Sequence, residues 1–241
     1  MSYNYAMDVV YFTRNGNNEE LRYSLRSLKN LTFDRVWIYG GCPKGIIPDR
    51  RVPVAQVGCT KWDRVKDMYI SACRNDQISE DFILMNDDFF IMKPTTIEPM
   101  YRCSLGRHIF TIEHKYHDRP NPYTMELRKT LSLLEKLGLP TNSYELHIPF
   151  VFNREKLLYL LNKYPAYHAM RSLYGNYYQV GGRKMLDVKV WKGVDKWNKG
   201  STFLSTDDRS FQGKVGAFIR EKFPERSKYE TDRTAKKETH Q

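Results

Sequence analysis

The chain has 241 residues, 41% of them hydrophobic and 14% aromatic, and a formal net charge of +11. That length supports one sizeable core, and that apolar content excludes disorder over most of the chain. The basic balance suits nucleic acid, an anionic membrane face or a phosphate-rich substrate, and alone does not choose among them.

The stretch Asp8-Val9-Val10-Tyr11-Phe12 predicts a first strand, ending at Thr13-Arg14-Asn15-Gly16. A helix start follows at Asn17-Asn18-Glu19-Glu20, with Asn as the cap and carboxylates in the first turn. Leu21, Leu25 and Leu28 then form one apolar stripe. The second strand is Val36-Trp37-Ile38-Tyr39, stopped by Gly40-Gly41, and Val52-Pro53-Val54 suggests a short edge strand. Val65, Met68 and Ala72 mark a second helix leading into a strand over residues 82–85. This alternation predicts a mostly parallel α/β sheet with right-handed crossovers.

The second half reads as more helical. Leu127, Leu131, Leu134 and Leu137 make a stripe closed by Gly138, and residues 145–152 read as a strand or extended segment. Asn153 caps a helix carrying Leu157, Leu160 and Leu161. Residues 174–182, rich in Tyr, Asn and Gly, suggest a loop over the site, and Val215, Phe218 and Ile219 a last helix closed by Pro224. Residues 1–225 are expected to form one domain, and 226–241 a basic, disordered tail.

The opening residues lack a charged-then-apolar signal pattern, and Cys42, Cys59, Cys73 and Cys103 are scattered without a CxxC pair. Both features fit a cytoplasmic protein with reduced thiols. No apolar run approaches the roughly 18 residues of a membrane span, so no transmembrane segment is expected.

The chemistry concentrates where Phe82-Ile83-Leu84-Met85 runs straight into Asn86-Asp87-Asp88 before apolar residues resume. Adjacent carboxylates beside a core repel and lose hydration, so a divalent cation with a phosphate-bearing ligand is the natural compensation. Two solvated turn aspartates are the competing reading. Ligands of such sheets bind beyond the carboxyl ends of the strands, which places residues 14–18 and Asn86-Asp87-Asp88 on one rim. Arg14, Asn15, Gly16, Asn18 and Asn86 are therefore candidate ligand contacts; Arg22, one helical turn before Arg26, joins them if the two face the rim, and both are ordinary surface arginines if they face water.

Four blocks in order resemble the Stealth family, relatives of capsular polysaccharide phosphotransferases and of GlcNAc-1-phosphotransferase, in its short bacterial or phage form. They are Asp8-Val9-Val10-Tyr11 with the run from Asn18 to Ser27, the segment from Phe82 to Phe89, His147-Ile148-Pro149, and Phe203 through Asp207-Asp208 to Glu230. Departures occur at Phe12-Thr13-Arg14-Asn15-Gly16, which lacks an acid found in the family, and around Trp62, which lacks its Asn-Ser-Asn run.

The resemblance implies a GT-A/Rossmann-like fold and a nucleotide-sugar donor, a UDP-sugar first among them, held with Mg²⁺ or Mn²⁺ near Asp87 and Asp88, one acid on the metal and the other, Asp88 a candidate, orienting the acceptor hydroxyl or taking its proton. It makes His147 a candidate base or ligand, although a histidine between Leu146 and Ile148 is ordinarily a core residue. It makes Arg171 a phosphate contact, where an ordinary surface-helix arginine is the competing reading, and Asp207 a third metal ligand, where a turn or helix cap is. His108, His114 and His117 read as a solvated loop cluster, and His168 as a weak candidate.

The implied reaction moves sugar-1-phosphate to the hydroxyl of a glycan or other acceptor. True glycosyl transfer is the close rival, including a phage enzyme acting on modified DNA bases, which the basic charge would suit. A non-catalytic sugar binder is a third class.

Overall fold

The computed structural model describes residues 6–55 and 60–231. Strand β1 (Asp8–Thr13) is buried at every position, as expected of a strand covered on both faces. Asn18 caps α1 (Glu19–Ser27), its side chain accepting from the Leu21 amide at 3.0 Å. Strands β2 (Val36–Gly40) and β3 (Arg50–Val52) follow, then α2 (Lys61–Arg74), opened by a Thr60–Asp63 capping box. Strand β4 (Asp81–Asn86) leads through a turn to β5 (Phe89–Ile91), then β6 (Met100–Tyr101), α3 (Leu105–Lys115) and α4 (Pro122–Lys136). Strand β7 (Phe150–Asn153) runs into α5 (Arg154–Lys163), capped by Asn153, and α6 (Met170–Tyr177) follows. The chain continues as β8 (Arg183–Lys184), β9 (Lys189–Val190), β10 (Phe203–Thr206), the short α7 (Asp208–Phe211) and α8 (Lys214–Lys222).

The central sheet has the order β3-β2-β1-β4-β7. Strands β1, β2, β3 and β4 are mutually parallel, and β7 is antiparallel to β4. The protein is thus a mixed α/β fold with a mostly parallel, Rossmann-like sheet flanked by helices. Side-chain alternation divides the core. Val10, Phe12, Trp37, Tyr39, Phe82 and Leu84 share one cluster with residues of α2, α4, α5 and α6. Val9, Tyr11, Val36, Ile38, Ile83 and Met85 share another with Leu21 and Leu25 of α1. A second sheet, β5-β10-β9, adjoins the carboxyl end of β4.

Several expectations need correction. The edge strand is Arg50–Val52, because Pro53 has no amide for the ladder. Of the segment 145–152, expected as strand or extended chain, only Phe150, Val151 and Phe152 pair with β4, and the pairing runs on to Asn153. The expected loop at 174–182 begins inside α6, where Tyr174 and Asn176 are buried. The close approach of Gly175 to the Tyr144 ring explains that glycine without a loop. The tail expected from residue 226 is packed as far as 231: Tyr229 is buried, and the Glu230 carboxylate bridges Arg22 and Arg26. Residues 232–241 lie outside the described residues, as does Cys59; Cys42, Cys73 and Cys103 are free thiols. Among the described residues, no helix is long and apolar enough to cross a membrane.

Candidate active site

Parallel pairing sets Phe12 beside Asn86, so β1 and β4 end together and the two segments expected on one rim do meet. Asn18 joins them. Its Oδ1 caps α1, and its Nδ2 donates to Asp87 Oδ2. The residue that starts the helix therefore also orients an acid of the β4–β5 turn. The backbone of Arg14 and Asn15 lies directly over Gly41, where a Cβ would strike it. Gly16 turns the loop at φ +114°, a conformation other residues rarely adopt.

Asp88 is held differently. Its Oδ2 accepts from Lys189 Nζ of β9 at 2.6 Å. Its Oδ1 is buried with no hydrogen-bond partner, a costly state for a carboxylate oxygen. Glu20, on the first turn of α1, completes an acidic group. It is buried and accepts from Thr206 Oγ1 at 2.6 Å. Burial pushes its carboxyl up to about 8; the Thr206 bond opposes the rise, and the charges of Asp88 and Asp87 add to it. Burial, and then the neighbouring Asp88, also hold Asp87 well above the usual carboxylate range against the Asn18 bond.

Arg14 makes a forked pair with the exposed Asp208, at 3.0 and 3.1 Å, while its charge reaches Asp87 and Glu20. Asn15 is exposed on the same loop, and Asn86 is half-buried at the end of β4.

His147 lies just before β7. Its Nδ1 is 2.9 Å from Asp187 Oδ2, and its own amide donates to Asp187 Oδ1 at 3.1 Å. The imidazole meets Phe89 and Trp191 edge to face, with centroids 6.3 and 5.5 Å away. Lys189 Nζ sits 4.7 Å above the same Trp191 ring. One aromatic ring thus links the histidine to the lysine that pairs with Asp88.

Three expected contacts are placed elsewhere. Arg171 is buried and donates from Nη1 to the carbonyls of Leu146 and Ile148, at 2.7 and 2.8 Å. It clamps the residues on either side of His147, and this arrangement accounts for its burial without a phosphate. Arg22 is committed to Glu230 and to the Lys44 carbonyl, since α1 rotates it toward the C-terminal segment. Asp207 caps α7, taking the Ser210 amide on Oδ1 at 2.8 Å and the Lys192 amide on Oδ2 at 2.9 Å. Of the other histidines, His108 is not in a solvated loop but buried on α3, 2.8 Å from Ser143 Oγ. His168 pairs with Glu126 at 2.9 Å.

Glu20, Lys189 and Asp187 are the site residues that pattern reading missed. Glu20 looks like an ordinary first-turn acid, a role its neighbour Glu19 does fill in pairing with Arg220. The alternation Asp187-Val188-Lys189-Val190 was the available signal for a short strand presenting both polar side chains to one face.

No protein-family model matches the chain, and no curated protein matches its sequence. Among the described residues, no three carboxylate, imidazole or thiol groups form a ready-made metal centre. Each acid is instead held by its own partner, Glu20 by Thr206, Asp87 by Asn18 and Asp88 by Lys189.

Proposed function

We propose that this protein is a cation-assisted transferase that takes a nucleotide sugar, a UDP-sugar foremost, and moves sugar-1-phosphate to an acceptor hydroxyl, in the manner of the Stealth family that its sequence blocks resemble. The observation that carries this reading is the unpartnered, buried Asp88 Oδ1 within the Glu20–Asp87–Asp88 group, at the carboxyl rim of a parallel sheet. Nucleotide ligands of such sheets bind at that rim.

The donor set fits a hard cation, because every candidate ligand is oxygen. Mg²⁺ is characteristically held by one or two carboxylates, with phosphate oxygens and water completing its shell. Asp87 and Asp88 would hold it, and when bound it would neutralise charge on the donor diphosphate. Around it, Lys189 and Arg14 supply fixed positive charge to the same phosphates. His147 stands across Trp191 from Lys189, the partner of Asp88, and supplies a base for the acceptor hydroxyl.

A screen of nucleotide sugars with Mg²⁺ or Mn²⁺, followed by mass analysis of product and released nucleotide, tests this. Nucleoside monophosphate should be released, and Asp88→Asn should abolish turnover. Nucleoside diphosphate with no phosphate in the product would establish glycosyl transfer instead. Undiminished turnover in Asp88→Asn would overturn the site itself.

A further inference from the structure

The ion pair between His147 and Asp187 has the geometry of a positioning device. The Asp187 side chain is 12% exposed, and it receives the His147 ring nitrogen, the His147 amide and the Val188 amide. Arg102 Nη1 stands 3.4 Å from Oδ2. Burial alone would raise the Asp187 carboxyl, but His147 and Arg102 outweigh it and hold it down at about 2. An ionised carboxylate only accepts hydrogen bonds, so the nitrogen facing it must carry the proton. The other ring nitrogen, Nε2, has no hydrogen-bond partner among the described residues, and the side chain is 30% exposed. Phe89 and Trp191 wall the ring, and Arg171 ties down the carbonyls at 146 and 148. Both the ring plane and the segment carrying it are thereby fixed.

We propose that Asp187 is a positioning residue that locks His147 in the Nδ1–H tautomer and presents the Nε2 lone pair as the base that deprotonates the acceptor. This rests on the transferase reading above. In that reaction the acceptor O–H proton passes to Nε2 while the oxygen forms its bond to the donor's electrophilic atom. The bond from that atom to the nucleotide phosphate oxygen breaks, and its electron pair leaves with the nucleotide. The imidazolium so formed is balanced by Asp187. The charged groups around the ring are Asp187, Arg102 from the segment after β6, Arg171 from α6, and Lys189 from β9 across Trp191; His108 on α3 senses its charge.

Long-range ¹H–¹⁵N NMR on the ¹⁵N-histidine-labelled full chain tests the proposal without any substrate. A His147→Gln variant assigns the signals. Wild type should show His147 protonated on Nδ1 with Nε2 bare when neutral. Asp187→Asn, whose amide can donate to Nδ1 as well as accept from it, should populate the Nε2–H tautomer that the carboxylate excludes in the wild type. A wild-type Nε2–H tautomer would overturn the proposal, as would an unchanged tautomer ratio in a folded Asp187→Asn protein. If Asp187→Asn fails to fold, the wild-type tautomer alone decides. The locked tautomer in a protein that turns over no nucleotide sugar would leave this pairing standing and remove the transferase reading instead.

Discussion

Replacing Arg171 by methionine keeps an unbranched side chain in the cavity and removes only the guanidinium. Two hydrogen bonds from a buried cation are then lost, and the carbonyls of Leu146 and Ile148 lose their Arg171 donor. Each such bond is worth about 1.5–3 kcal/mol. Against that, the variant no longer has to bury a guanidinium stacked between Phe89 and Phe150, which offsets part of the loss. The net destabilisation is about 2–4 kcal/mol, or roughly 4–16 °C in Tm for a chain of this size. Calorimetry measures the total, and hydrogen exchange at the amides around His147 locates it. Arg171→Lys should fall between the two, because one ammonium cannot reproduce the fixed guanidinium plane. A Tm for Arg171→Met equal to wild type would refute the clamp.

Two further predictions concern stability and pH. The folded chain raises the Glu20 carboxyl to about 8 from an ordinary 4.5, so its contribution is full below 4.5 and is lost as pH rises through 8. Tm should therefore decline between pH 5 and 9, and Glu20→Gln, which mimics the protonated acid, should flatten that decline; an unchanged slope would exclude Glu20 as its source. Glu230 has the opposite sign: burial would raise it, but Arg26, Ser227 and Arg22 hold it at about 2, so its contribution is present above 4.5 and lost on acidification toward 2. Glu230→Gln should lower stability by about 2–4 kcal/mol at neutral pH, read as a shifted urea midpoint, since both arginines lose a carboxylate with only 1% side-chain exposure. A midpoint equal to wild type would show that the C-terminal segment is not a fastening.

The parallel core was legible because each of its determinants is local. Alternating β-branched and aromatic residues mark β1, β2 and β4, and Asn18 and Asn153 announce the helices they cap. The rim followed from topology, which the strand–helix alternation already constrained. What stayed hidden is decided by partners far away in sequence. Arg171 is an unremarkable helix arginine until the carbonyls at 146 and 148 fold onto it. Asp207 sits in a motif that suits a metal ligand, yet two amides claim its oxygens first. Glu20 differs from Glu19 only in which side of α1 it occupies, and Thr206, 186 positions away, determines its environment.

The C-terminal segment reaches the site through the same helix that carries Glu20. Helix α1 carries Asn18 and Glu20 at its start, toward the rim, and Arg22 and Arg26 further along. Glu230 holds both arginines, and Arg26 also donates to the carbonyls of Phe223 and Pro224. The segment after α8 therefore fixes the position of the helix that orients Asp87 and supplies Glu20. A group of buried acids gains from rigid support, because any relaxation that let the acids separate or reach water would lower their mutual repulsion and dissolve the arrangement. The fastening to Glu230 opposes that relaxation from the far end of α1, while Lys189 opposes it at Asp88. Loosening the first should therefore lower the Glu20 carboxyl toward its ordinary value, coupling a residue at the end of the described chain to the charge state of the rim.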